Sequence, residues 1–170
     1  SATRRPKLEP WKPRLARSGL SNVTPQLIAS ENDTRVKRLA GKLDRVLVDA
    51  PCSGLGTLRR NPDMKWRQSP DAVAELVVKQ AAILASAARL VKPGGRLVYA
   101  TCSLLDEENE GIALAFTEAQ KDSFTPLPCA EVLRRAHVDH AESLVRENFL
   151  RLWPHRHGTD GFFAAVWQRR

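Results

Sequence analysis

Cys52 and Cys102 are the residues of this chain best placed to do chemistry, because each lies in a polar cluster that directly follows a short apolar run. The first cluster is Asp49-Ala50-Pro51-Cys52-Ser53-Gly54 and the second is Thr101-Cys102-Ser103. Cysteine is most often a small buried hydrophobe. A thiol beside Asp or Ser in a turn just past a strand end, however, has the surroundings of a nucleophile or of one half of a redox couple. In open α/β sheets, ligands bind beyond the carboxyl ends of the strands. If the two apolar runs are neighbouring strands, both thiols and the Asp49 carboxylate converge at one edge of the sheet.

The elements that must hold these groups follow from residue pattern. Arg45–Asp49 and Arg96–Ala100 are apolar on both faces, which predicts buried parallel strands, both central in a sheet. Between them Val73, Leu76/Val77, Gln80, Ile83/Leu84, Ala87 and Leu90/Val91 form one helical stripe, opened by Ser69-Pro70-Asp71 and stopped by Lys92-Pro93-Gly94-Gly95. Strand, helix, strand implies a crossover and an α/β fold. Asp106, Glu107, Glu108 and Glu110 crowd the start of a further helix, where carboxylates complement the positive dipole end, with Ile112, Ala115/Phe116 and Ala119 facing inward. A third helix is expected over Ala130–Val145, and Phe149–Trp153 with Phe162–Trp167 reads as a C-terminal antiparallel hairpin. Upstream, Pro13 suits the first turn of a short helix ending near Gly19. Asn22–Ala29 reads as a short strand, and Ser30-Glu31-Asn32-Asp33 as the polar turn after it.

Composition bounds the function. The 170 residues suit one domain, and their formal charge of +8 is unevenly spread. Residues 1–67 carry 15 basic and 6 acidic side chains, whereas residues 68–170 carry 12 and 13. A positive first third favours a polyanion such as RNA. Arg59, Arg60, Lys65 and Arg67, interleaved with Trp66, suit phosphate contact and base stacking, while Arg35, Lys37 and Arg38 read as a solvated face. No segment approaches the roughly 20 apolar residues of a membrane span. Three cysteines without a C-x-x-C pair predict neither a zinc site nor a disulfide framework, and hence a reducing cytoplasm. His137, His140, His155 and His157 read as structural or surface residues, so no metal is expected.

The same residues resemble the RNA cytosine-5 methyltransferases, and among them the bacterial Sun/Fmu-type 16S ribosomal RNA enzymes. Asp49 to Asp63 is similar to the family's fourth motif with its extension, Tyr99-Ala100-Thr101-Cys102-Ser103 to its sixth, Glu107-Glu108-Asn109-Glu110 to the segment that follows, and Asp160-Gly161-Phe162-Phe163-Ala164-Ala165 to its C-terminal motif. The likeness covers about residues 14–170. It implies a Rossmann-like, S-adenosylmethionine-dependent fold whose first strands and glycine-rich cofactor turn fall before Ser1. Residues 1–18 then form a basic, proline-containing segment with the end of a truncated helix, and 19–170 a partial catalytic domain. An exposed sheet edge and self-association would follow.

The resemblance also assigns roles. Cys102 is the nucleophile that adds to C6 of cytosine, so that C5 can take a methyl group. Asp49 stabilises the ring at N3, and Cys52 assists release of the product. Asp33, Asp49 and Pro51 lie toward the cofactor, with Asp33 near its adenine. Two other readings remain: a non-catalytic RNA-binding fragment without a complete cofactor site, and a redox protein cycling Cys52 and Cys102.

Overall fold

The computed structural model describes residues 11–170, so the part of the basic segment before Trp11, with Pro6 and Pro10, lies outside the described residues. The elements in chain order are α1 (Trp11–Ser18), α2 (Thr34–Lys37), β1 (Leu43–Asp49), α3 (Pro70–Ala88), β2 (Val91–Thr101), α4 (Glu110–Ala119), β3 (Phe124–Leu127), α5 (Cys129–Arg135), β4 (Val145–Arg146), β5 (Phe149–Leu152), α6 (Pro154–His157) and β6 (Phe162–Arg169). One six-stranded sheet runs β1-β2-β6-β5-β4, with β3 also paired to β6. β5 takes Phe162–Ala164 of β6 and β3 takes Val166–Arg169, so the two share one edge in tandem.

The expected strand–helix–strand unit is present. β1 and β2 are parallel neighbours, with Asp49 opposite Ala100, and α3 joins them. The Ser69 hydroxyl caps α3 by accepting from the Ala72 N–H at 3.2 Å, and Pro70 occupies the first turn, where a missing N–H costs nothing. The inner face buries Gln80, Leu84 and Ala87 as the stripe predicts. Lys92–Gly95 end the helical pattern but lie within β2 as an irregularity: Leu43 pairs with Val91 and Arg45 with Arg96. Gly94 takes the left-handed φ of +77° that the excursion requires. The C-terminal hairpin also forms, β5 antiparallel to β6, with α6 in its loop.

Four expectations give way. Only β2 is central; β1 has a single paired neighbour among the described residues, and Leu47 is 68% exposed. Asn22–Ala29 is not a strand, because no strand of the described residues lies beside it to complete a ladder. In α4, Ile112 and Phe116 face inward with Ala113, whereas Ala115 and Ala119 are exposed. The helix expected over Ala130–Val145 is α5, which ends at Arg135. There the Val138 N–H reaches back to the Leu133 carbonyl at 3.0 Å and His137 turns to a φ of +57°, the geometry of a helix stop. A single 3-10 turn at Ala141–Leu144 and the short β4 follow.

The core lies between β2, β6 and the helices α3 and α4. Leu84, Val91, Leu97, Tyr99, Ile112, Phe163 and Trp167 pack within it. Phe116 meets Trp167 edge-on at 4.8 Å between ring centroids, and the indole N–H of Trp167 donates to Thr117 Oγ1 at 2.9 Å. This packing makes β2 the fixed rail from which Cys102 projects.

Candidate active site

Cys52 follows β1 and Cys102 follows β2. The parallel register, prolonged by the Ala50 N–H donating to the Ala100 carbonyl at 2.9 Å, brings them level. Their sulfurs lie 3.5 Å apart, and both residues are half-buried free thiols. The convergence expected from the two strand ends is therefore real. Cys102 is acidified to about 7, chiefly because the Cys52 thiol donates to its sulfur; burial and the negative charges of Asp49 and Glu108 oppose that shift. Cys52 is pushed well above an ordinary thiol, first by donating this hydrogen bond and then by burial. Within the pair the negative charge is favoured on Cys102 and the proton on Cys52.

Serines flank both cysteines and are completely buried. The Ser53 N–H donates to Glu108 Oε1 at 2.8 Å, the Ser53 hydroxyl to Oε2 at 2.5 Å, and the Ser103 hydroxyl also donates to Oε2. Beyond Ser53, the chain passes through a gap that admits only glycine. The Gly56 N–H donates to the Cys102 carbonyl at 2.8 Å and its carbonyl accepts from the Gly161 N–H at 2.8 Å. A Cβ on Gly56 would lie 2.3 Å from the Gly161 oxygen and 2.7 Å from the Cys102 oxygen.

Asp49 is exposed and opens onto a cavity of about 410 Å³ between the free side of β1 and α3, lined by Ile28, Glu31, Leu47, Lys79 and Ile83 among others. Asp33 does not line it. Its carboxylate closes the preceding turn and caps α2, accepting from the Ala29 N–H at 3.0 Å and the Arg35 N–H at 2.9 Å, and those two bonds hold it below the usual carboxylate range. Glu31, two positions earlier, lines the cavity together with Asp49, and its Oε1 accepts from Asn32 Nδ2 at 2.8 Å. Sequence reasoning placed it only in the polar turn. Pro51 is exposed, and its carbonyl accepts from Gln80 Nε2 at 2.9 Å.

The basic residues divide. Arg59 and Arg60 each reach Asp160 at 3.1 Å and so tie this loop to the hairpin. Arg67 pairs with Asp63 at 2.7 Å. Trp66 is 80% exposed, with Lys65 Nζ 4.8 Å from its ring centroid, which leaves an indole face open for stacking. His157 bridges the Trp153 N–H and the Ser143 carbonyl, a structural role. Among the described residues no group of three or more His, Cys, Asp or Glu could hold a metal, and no helix is long and apolar enough to cross a membrane.

Residues 8–168 match the model of the family described as 16S rRNA methyltransferase RsmB/F. A probable ribosomal RNA small subunit methyltransferase B of Bacillus subtilis (strain 168) is 41% identical over 129 residues, which cover 76% of this chain and 28% of that protein. The crystal structure of PH0851 superposes with a TM-score of 0.81 at 36% identity, over 94% of this chain and 34% of that one. NSun6 from Pyrococcus horikoshii, solved with SFG, shares the fold at a TM-score of 0.72 and 24% identity, over 95% of this chain and 38% of that one. The chain spans less than a third of the length of the curated relative.

Proposed function

The chain belongs to the 16S rRNA methyltransferase RsmB/F family, with a Rossmann-like α/β fold, and from that premise we propose that it carries the cysteine pair that methylates C5 of cytosine in RNA, in 16S ribosomal RNA above all. The observation that carries this reading is the 3.5 Å contact between the Cys52 and Cys102 sulfurs beyond the ends of two parallel neighbouring strands, a contact that lowers the Cys102 thiol. A thiolate available at neutral pH is what addition to C6 of a pyrimidine needs.

In this mechanism Cys102 Sγ forms a bond to C6, and electron density moves to C5 and toward N3. Asp49, exposed at the end of β1, would hydrogen-bond or protonate the ring at N3 and so stabilise the charge that develops there. The cavity beside Asp49 fits an adenosine-like ligand. Its floor is apolar, its volume of about 410 Å³ is in the range of small-molecule sites, and Glu31 and Asp49 offer carboxylates to a cation or to ribose hydroxyls. Bound there, S-adenosylmethionine supplies an electrophilic methyl group. Asp49 and Glu31 would hold it, with Asp33 acting through the turn it closes and exposed Pro51 lying just past the end of β1. Once C5 carries the methyl group, water takes the C5 proton, the C5–H electron pair restores the C5–C6 double bond, and the Cys102–C6 bond breaks with its electron pair returning to sulfur. Cys52 stabilises the departing thiolate through the same S–H donation that created it.

Trp66 and Lys65 form the surface suited to stack on a base and meet a phosphate. Arg59 and Arg60 would have to leave Asp160 to do the same. RNA binding without catalysis is the other outcome of the test that follows.

The test is trapping. With S-adenosylmethionine and RNA, Cys52→Ala is expected to accumulate a protein–RNA adduct that survives denaturation, while Cys102→Ala forms none and loses transfer by at least about 10³-fold. A Cys102→Ala protein that transfers methyl groups at the parent rate overturns the mechanism. RNA binding without transfer by the unaltered chain, together with no calorimetric signal for S-adenosylmethionine, leaves the binding-only reading.

A further inference from the structure

Glu108 is completely buried, yet its carboxylate meets four neutral donors. They are the Ser53 N–H, the Ser53 hydroxyl, the Ser103 hydroxyl and Gln80 Nε2, the last at 3.0 Å. A carboxylate removed from water without a cation beside it is costly to keep, and an apolar residue would fill the same space more cheaply. What the charge gains is its position between two loops. Ser53 follows Cys52, and Ser103 follows Cys102. Gln80 Nε2 donates to the Pro51 carbonyl as well as to Glu108, so α3 joins the same junction.

The backbone of Glu108 is itself fixed, its carbonyl accepting from the Tyr99 hydroxyl at 2.7 Å on the central strand. The next residue repeats the tie on a smaller scale. Asn109 Oδ1 accepts from the Thr101 hydroxyl at 2.5 Å, and its Nδ2 donates to the Ser103 carbonyl at 3.1 Å.

We propose that Glu108 is the positioning residue of the cysteine pair: its carboxylate clamps Ser53 to Ser103 and so holds the Cys52 thiol against the Cys102 sulfur. The proposal deepens the reading of Cys102 as nucleophile and rests on it. Glu108 touches neither sulfur among its hydrogen bonds and acts through the two serines. Ser103 and Glu108 belong to the loop after Cys102, so the two bonds from Ser53, its N–H to Oε1 and its hydroxyl to Oε2, are the ones that tie the Cys52 loop to it.

The charge of Glu108 and its clamping affect Cys102 in opposite senses, and that makes the role measurable. Its negative charge disfavours the Cys102 thiolate, whereas the Cys52 donation it would secure favours it. The groups that bear on Cys102 are Cys52, Asp49 and Glu108, and only Glu108 is altered in the test. The purified chain is alkylated with iodoacetamide over a range of pH, and each cysteine is followed by peptide mass spectrometry. In the unaltered chain, Cys102 is expected to label with a midpoint at about 7. In Glu108→Gln the midpoint is expected to rise toward the ordinary thiol value of about 8.5, and labelling at neutral pH to fall roughly tenfold. Buried Cys129 reports on the fold, since it stays slow to label while its surroundings persist.

A midpoint that stays at about 7, or falls below it, overturns the proposal, because then only the charge, or nothing, has been felt. If Glu108→Gln fails to fold by circular dichroism, Ser103→Ala decides instead: a raised Cys102 midpoint supports the clamp and an unchanged one overturns it. The measurement uses neither RNA nor S-adenosylmethionine. Failure of the clamp is therefore separate from failure of the methyl-transfer reading, which the trapping of Cys52→Ala decides.

Discussion

The two sides of the β1 terminus are built to different standards. On the cysteine side, Ser53, Thr101, Ser103, Glu108 and Asn109 are completely buried; Ser53 meets Ser103 and Glu108, 50 and 55 residues away in sequence, and Thr101 bonds Asn109. On the cavity side, Leu47, Leu27 and Ile28 are exposed, and the chain from Leu20 to Ile28 runs without regular structure. The reactive pair is thus assembled from the loops that follow β1 and β2, from Gln80 of α3 and from the turn that precedes α4, with Gly56 tied to the hairpin at Gly161. The cavity has one apolar wall, and its other boundary is an extended segment pinned at a few points, such as Arg35 Nη1 donating to the Leu27 carbonyl at 2.6 Å. Pre-organisation is complete where bonds to the substrate would form and break, and incomplete where the methyl donor would be held.

The sharpest way to break that contrast is from the closed side. Gly56→Ala places a methyl group inside the van der Waals surface of two backbone oxygens, and neither can move without dragging the Cys102 loop or the hairpin. The expected cost is about 3 kcal/mol, read as a lower urea midpoint with unchanged slope. It should be accompanied by a displaced Cys102 labelling midpoint. A variant as stable as the parent would mean that the closed side is softer than its hydrogen bonds imply.

A smaller effect is expected at Trp66, which lies on the exposed surface beyond the cysteine loop. Trp66→Ala removes an indole that is 80% exposed, so stability should be unchanged within about 0.5 kcal/mol. Affinity for single-stranded RNA should fall by about 1–3 kcal/mol if one base stacks there. Fluorescence anisotropy with a labelled oligonucleotide measures it. A loss of stability without a loss of affinity would place Trp66 in folding and remove it from the RNA surface.

The closed side was also the legible one. β2, α3 and the hairpin follow from period, capping and turn residues that act over a few positions, and β1 was found where expected, although its place at the sheet edge was not. The clamp was harder to see. Glu108 reads in sequence as one of four acids at a helix start, and Asp106 and Glu110 do lie near that end, but both turn to the buried guanidinium of Arg151. Which acid of the cluster points inward depends on a 3-10 turn at Asp106–Glu108 that no local pattern announces. Asn22–Ala29 fails for the opposite reason. Its β-branched and apolar residues suit a strand, but a strand needs a neighbour, and pairing is a property of the sheet and not of the segment. Asp33 looks like a ligand by type, whereas the turn spends its oxygens on two N–H groups.

The smallest expected change in stability comes with the plainest test of the open side. β1 presents unpaired backbone along one edge among the described residues, and Leu47 adds a largely exposed side chain to it. Such an edge is a template for pairing with another copy, and a charge at its apolar point weakens that pairing. Leu47→Lys puts a cation at that point while leaving Val48 in the core and the β1–β2 register intact, so the unfolding midpoint should move by less than about 0.5 kcal/mol. By light scattering, the parent chain should show concentration-dependent self-association and the variant should not. If the parent is monomeric at every concentration, the edge is protected by its own twist or by the 20–28 segment. The cavity side would then be closed by local means, and the contrast with the cysteine side would shrink to a difference in burial.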